Sequence, residues 1–273
     1  MAKRKRLTSE KSIERHKGEG RGDGRLADYN PWLHIQDVAS RGLVTRIKGW
    51  KTGRVHHFLS LLELGYFYIL EWSLEVYDIR EQYPLLPLEE TIAIAEACGV
   101  KHPTDPRSKH PVVMTTDVVT TIRTDLRDVD QARTLKYAGD LRSTRVLEKL
   151  EIERRYWQAR KVDWKIVTDE QVPATVAKNV EWFHQYFRLD DFTQLRSGVV
   201  TQITSTLTES VIRQSLSLRD ITQETDDRLG LEAGTSLAFA RYLLANRRWL
   251  VNMNQPINPG KPLVLASTPE PER

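Results

Sequence analysis

Glu63, Asp117 and Lys136 are the residues of this 273-residue chain whose types could together attack a phosphodiester. Carboxylates are hard oxygen donors suited to Mg2+ or Mn2+, ions commonly bound by one or two carboxylates plus substrate phosphate. A lysine is a mobile point charge that can stabilise an attacking hydroxide or the charge developing at phosphorus. Asp117 lies in a strand-like run, Val112–Arg123, followed by a polar reversal, Thr124–Asp130, and a second run, Gln131–Tyr137, that carries Lys136. With the reversal centred between Leu126 and Arg127, Asp117 faces Lys136 across a hairpin, at the ~4.5–5.5 Å Cβ spacing of cross-strand partners. A one-residue slip would turn one of them to the other face. An Asp and a Lys at this separation are not diagnostic by themselves.

The elements that must hold these groups follow from periodicity. His56 to Trp72 reads as a largely buried helix, with Leu59, Leu62, Tyr66, Phe67 and Leu70 at helical spacing and Glu63 inside that stripe. A carboxylate on an apolar face is expensive unless paired, protonated or bound to metal. An ion pair to Arg54 or Arg80 is the structural alternative. Leu74–Ile79 reads as a strand, and Glu89–Ala97 as a helix stopped by Gly99. Thr144–Lys161 reads as a helix whose face of Glu148, Lys149, Glu151, Glu153 and Arg155 is expected in solvent, and Trp164–Thr168 as a closing strand. This order predicts an α/β fold, a mixed sheet with flanking helices, over residues 29–172.

Residues 1–30 carry nine Lys/Arg against five Asp/Glu, which leaves 32 of each sign in residues 31–273. The body is neutral and the excess positive charge sits in the N-terminal segment, so residues 1–28 are expected to form a flexible basic arm. Lys3, Arg4, Lys5 and Arg6 are its candidates for DNA phosphate contact, and Lys51 and Arg54 flank a turn at Gly53 on the body. The single cysteine, Cys98, excludes an internal disulfide and a cysteine zinc site and fits a reducing cytoplasm. No apolar run approaches the roughly 20 residues needed to span a bilayer.

Gln171-Val172-Pro173 marks a boundary. Beyond it, Ala174–Phe187 reads as a connecting helix. Leu207–Leu216, Leu218–Thr225 and Glu232–Asn246 read as three helices, and Trp249–Met253 with Leu263–Ala266 as a hairpin around a Pro- and Asn-rich tip. Three helices and a hairpin predict a winged-helix-like α+β domain over 173–266, binding either DNA or protein, with Arg241, Arg247 and Arg248 near the end of the recognition helix. Residues 267–273 are expected to be a disordered tail.

The chain lacks a Walker phosphate loop, a G-x-G-x-x-G after a strand, a G-x-S-x-G elbow and an H-E-x-x-H helix. Several long blocks resemble one family. They are Arg54-Val55-His56-His57 through Glu63-Leu64, Leu70-Glu71-Trp72, Asp78-Ile79-Arg80-Glu81-Gln82-Tyr83-Pro84-Leu85-Leu86-Pro87, Lys101-His102-Pro103, and Leu147 through Trp157. With Asp28-Tyr29, Pro31-Trp32-Leu33 and Asn179-Val180-Glu181-Trp182, the chain resembles the TnsA family, the endonuclease subunits of heteromeric bacterial DNA transposases.

The resemblance implies a restriction-endonuclease-like domain followed by a winged-helix-like one. It further implies a cytoplasmic bacterial nuclease that uses one or two Mg2+ or Mn2+ ions to cut the 5′ strand at transposon ends. A TnsB-type recombinase cuts and joins the 3′ ends, and a TnsC-type ATPase regulates both. The family's catalytic residues fall on Glu63, Asp117 and Lys136, and the Leu135 carbonyl is a candidate third metal ligand beside the two carboxylates. One departure is Thr134, which stands where such nucleases usually carry Glu, Asp or Gln. It leaves open a nuclease fold kept as an adaptor that binds TnsC and DNA without cutting. A free-standing restriction or repair nuclease is a third alternative.

Overall fold

The computed structural model describes residues 8–38, 44–124, 127–188, 197–213 and 216–266. The chain divides into two compact units, Met1–Val172 and Pro173–Arg273.

The first unit begins with helix α1 (Glu10–Gly18), capped by reciprocal bonds between Ser9 and Ser12. Ile13 of α1 packs on Trp32 and Val113. Arg21, buried just beyond α1, donates to the Trp32 carbonyl and pairs with Asp37. The expectation of a flexible arm over 1–28 is therefore corrected from residue 8 onward. A single isoleucine among polar neighbours fastens the helix, too little apolar signal to stand out in composition. Lys3, Arg4, Lys5 and Arg6, like the expected tail 267–273, lie outside the described residues.

The expected helix from His56 to Trp72 is two elements. Val55–Phe58 is strand β2, paired antiparallel with β1 (Thr45–Lys48), and the helix proper, α2, is Leu61–Trp72. Ser60 interrupts them. It is extended at φ −148°, and its hydroxyl accepts the Glu63 N–H at 3.2 Å, the capping role that serine fills best.

The main sheet has the order β3 (Val76–Pro84), β4 (Thr115–Arg123), β5 (Asp128–Lys136), β6 (Asp163–Thr168). Its first two pairings are antiparallel and the last is parallel. Parallel neighbours need a long crossover, and α4 (Thr144–Ala159) supplies it. Helix α3 (Leu88–Ala97) lies beside α4, tied by the Arg160–Glu90 ion pair. Ile79, Val118 and Leu135 face α2, whereas Leu85, Val119 and Ala132 pack with Tyr156 and Trp157 of α4. Alternation along the strands thus gives the sheet two covered faces, the mixed α/β sandwich anticipated from the sequence.

Two features of the sheet departed from expectation. The β4–β5 register pairs Val118 with Arg133 and Val119 with Ala132, so Asp117 is not placed directly opposite Lys136. The other feature is Gln82, a buried non-glycine residue at φ 49° between the pairs Glu81↔Val118 and Tyr83↔Thr116. Glu81 bonds His56 of β2, while Tyr83 packs on Trp157 of α4. Residues that would share a face in a regular strand therefore point to opposite ones, and the pleat changes over beside Asp117.

The C-terminal unit contains α5 (Ala174–His184), α6 (Ser197–Arg213), α7 (Leu218–Leu229) and α8 (Thr235–Ala245). Ile203, Leu207, Phe239, Leu243, Leu244 and Trp249 are all buried. Of the expected closing hairpin, the described residues show a bridge position at Leu250 and one backbone hydrogen bond between the two stretches, from Ala266 to Leu250. Pro256, Pro259 and Pro262 have no N–H to give a ladder. The segment is held instead by Asn179, which donates to the Met253 and Gln255 carbonyls and accepts from Ile257, and by Leu218 and Arg219 donating to Lys261 and Pro259. No helix among the described residues is long and apolar enough to cross a membrane.

Candidate active site

Glu63 occupies the first turn of α2, and the cap that starts the helix also orients its carboxylate. Its oxygens accept from the Leu59 N–H at 2.9 Å and the Ser60 hydroxyl at 3.0 Å, with the Gln82 amide at 3.4 Å. Neither arginine considered for an ion pair takes part. Arg54 is bound to Glu81, and Arg80 to Asp130. Glu63 shares a cleft with Phe58, Tyr66, Phe67, Leu70, Ile79, Asp117, Val118 and Leu135. Burial and then the nearby Asp117 push its pKa up to about 7.

Asp117 sits just past the last β4–β5 pair. Where the strands part, the N–H of Leu135 loses its ladder partner, and Asp117 Oδ2 accepts it at 2.7 Å. The same oxygen accepts Lys136 Nζ at 3.0 Å, and Nζ also donates to the Leu135 carbonyl at 2.7 Å. Burial pulls the Lys136 pKa down, but the carboxylates around it, Asp117 foremost, more than offset this and the ammonium is retained. The structure thus brings Asp117, Leu135 and Lys136 into direct contact, with Glu63 on the same cleft.

Glu153 was missed. It belongs to the face of α4 expected in solvent, yet it is only 3% exposed. Its carboxylate accepts from Thr116 at 2.6 Å and from Thr134 at 2.5 Å. Trp157 and Trp164 donate their indole N–H groups to those two hydroxyls. Burial and Asp117 push the Glu153 pKa up to about 7. The signal was available: Glu153 is three residues after Leu150 and four before Trp157, the same in-stripe position that singled out Glu63. Thr134, the departure from the usual nuclease pattern, spends its hydroxyl on Glu153. Gln82, which bonds both Glu63 and the Thr115 hydroxyl, was also missed.

The expected DNA contacts are dispersed. Arg54 is turned inward, 8% exposed, onto Glu81 and the Ile79 carbonyl, so it is a structural cation and that expectation is corrected. Lys51 donates to the Ser73 carbonyl. Arg241 lies over the rings of Trp182 and Tyr186 and donates to the Tyr186 hydroxyl; Arg247 is half-buried and Arg248 exposed.

The donor set at the cleft suits a hard divalent cation: the carboxylates of Glu63 and Asp117, and the backbone carbonyl of Leu135. Among the described residues no group of three or more His, Cys, Asp or Glu side chains could hold a metal, so the carbonyl matters to the fit.

A mixed sheet flanked by helices, with two carboxylates and a lysine where its central strands part, defines a restriction-endonuclease-like nuclease domain. Comparison with known proteins agrees. The model described as TnsA-like endonuclease N terminal matches residues 73–169, and that described as TnsA endonuclease C terminal matches residues 171–253. The Transposon Tn7 transposition protein TnsA of Escherichia coli is 39% identical over 249 residues, 90% of this chain and 87% of that protein. The chain belongs to the TnsA family and is a DNA endonuclease of the Tn7 transposition type. A nuclease of this family implies a divalent-metal requirement.

Proposed function

We propose that this endonuclease cuts the 5′, non-transferred strand at each transposon terminus by Mg2+-dependent hydrolysis, with Mn2+ able to substitute. In this reading it acts beside a TnsB-type recombinase and a TnsC-type ATPase during cut-and-paste transposition. The observation that carries the proposal is that Glu63 and Asp117 line one cleft while Lys136 Nζ bonds the Asp117 carboxylate. Glu63, Asp117 and the Leu135 carbonyl would hold one or two ions. The chemistry a divalent ion supplies there is acidification of a water and neutralisation of charge on the leaving oxygen. Lys136 carries a retained positive charge to the attacking oxygen and to the phosphate as charge builds on it. The Ser60 cap and Gln82 fix the direction of Glu63, and Phe58, Phe67 and Leu70 line the cleft with apolar surface that thins the water around these charges.

The test is cutting of a transposon-end duplex with its two strands labelled separately, using wild type and Asp117→Ala with recombinase, ATPase and Mg2+ or Mn2+. Wild-type cutting of the 5′ strand that the variant loses supports the proposal. A second reading, a silent adaptor that binds the ATPase and DNA, is favoured by one observation: Thr134 is bonded to Glu153 and gives the cleft no acidic group of its own. Identical strand patterns from the two proteins would establish that reading instead.

A further inference from the structure

Strands β1 and β2 form a two-stranded ribbon outside the main sheet, and its faces differ. His56 and Phe58 are buried on the inner face, and Phe58 reaches the cleft. The outer face carries Arg46 and Lys48, both exposed, paired in register with His57 and Val55. Neither strand contains Asp or Glu. Elsewhere in this unit Arg54, Arg80, Arg133, Arg154 and Arg160 are each ion-paired. The ribbon thus presents two cations of one sign with no acid between them.

Side chains two residues apart on a strand lie about 6.7 Å apart along it. Arg46 and Lys48 therefore form a short row, a layout suited to a polyanionic backbone more than to a single small anion. The row also has a direction. Thr45 at its near end pairs with Phe58, and the next residue, Leu59, gives its N–H to the Glu63 carboxylate. One end of the ribbon is built into the active site, and the cations lead away from it.

We infer that the outer face of the β1–β2 ribbon is a phosphate-contacting surface on which Arg46 and Lys48 hold the DNA backbone flanking the bond to be cut. The inference rests on the DNA-cutting function above and adds the surface that seats the duplex. Both side chains are exposed, so their replacement leaves the fold intact.

The experiment measures binding of a fluorescent duplex by anisotropy, in EDTA and over a range of salt, for wild type, Arg46→Glu, Lys48→Glu and Arg127→Glu. Arg127, at the far reversal of the β4–β5 hairpin, is the matched charge control. Each ribbon variant should bind at least about fivefold more weakly at low salt and show a salt dependence shallower by about one counterion, because each loses a phosphate contact. The control should keep the wild-type slope. An unchanged slope in both ribbon variants, an equal loss in Arg127→Glu, or wild-type protein that fails to bind the duplex even at low salt would overturn the inference. Binding in EDTA requires no hydrolysis, so a protein that binds through the ribbon yet cuts nothing overturns the cutting proposal alone.

Discussion

Lys136 Nζ lies 3.0 Å from Asp117 Oδ2 although the β4–β5 ladder stops at Val118↔Arg133, before either residue. The contact exists because the strands part there, leaving the Leu135 N–H and carbonyl to be taken up by these two side chains. Lys136→Gln keeps most of the length and removes the charge. Strand cutting should fall by about two to three orders of magnitude, the usual loss when a charge-stabilising group is deleted. The thermal midpoint should move little, since the Lys136 side chain is partly exposed and glutamine keeps most of its length. Cutting within a factor of a few of wild type would remove Lys136 from the mechanism.

Glu63 carries a sign that can be tested without DNA. Its pKa in the folded chain, about 7, exceeds the ordinary 4.5 because burial and Asp117 disfavour its charged form. Between those values the folded chain binds more protons than the unfolded one, so stability is full below pH 4.5 and is lost as pH rises through 7. Glu63→Gln should therefore stabilise the metal-free protein at pH 8, by about 1–3 kcal/mol in urea unfolding, with the gain shrinking towards pH 5. Mg2+ or Mn2+ should raise the melting temperature of wild type at pH 8, should do so less at pH 5 where protons compete, and should fail to do so in the variant. A Glu63→Gln protein less stable than wild type at pH 8 would contradict the assigned environment.

Much of this was legible in the sequence, and the failures have physical causes. Glu63 stood out as a carboxylate in an apolar stripe and Asp117 as a strand residue paired with Lys136 across a hairpin, and the mixed sheet followed from the order of periodic segments. The hairpin register was two residues off because a reversal of polar residues does not fix its own centre, and Asp125 and Leu126 at its tip lie outside the described residues. Helix and strand merged at His56–Trp72 because β2 and α2 are both apolar, and only the Ser60 cap divides them. Gln82 was invisible for a different reason. A left-handed backbone at a non-glycine residue is imposed by its surroundings, and no residue type announces it.

Glu153 accepts two hydroxyls whose own oxygens accept two indoles, so the four residues around it form one bracket across β4, β5, β6 and α4. Burial and then Asp117 push its pKa up to about 7, so the carboxyl is held towards its neutral form. Glu153→Gln, isosteric and neutral, should cost about 1 kcal/mol or less, whereas Glu153→Ala should cost about 3 kcal/mol by stranding Thr116 and Thr134 and opening a void. Thr134→Val should fall between them. Urea denaturation of the three variants checks the order, and equal losses for Gln and Ala would mean the hydroxyls are not held by this carboxylate.

Arg54 was assigned to DNA from sequence, and the structure makes it the partner of buried Glu81, which also binds His56 and the His57 N–H. Burial alone would push the Glu81 pKa up, but His56 and Arg54 outweigh it and hold the carboxyl well below the usual range. A folded-state pKa below the unfolded value stabilises the protein above pH 4.5, and that stability is lost as pH falls beneath it. Arg54→Ala leaves Glu81 buried with half its compensation gone, so it should destabilise by about 3–5 kcal/mol at pH 7. The deficit should narrow in acid, because wild type loses the same contribution there. A surface phosphate contact predicts the reverse: full stability, and weaker DNA binding with a shallower salt dependence. Denaturant unfolding of Arg54→Ala at pH 7 and pH 4 separates the two roles.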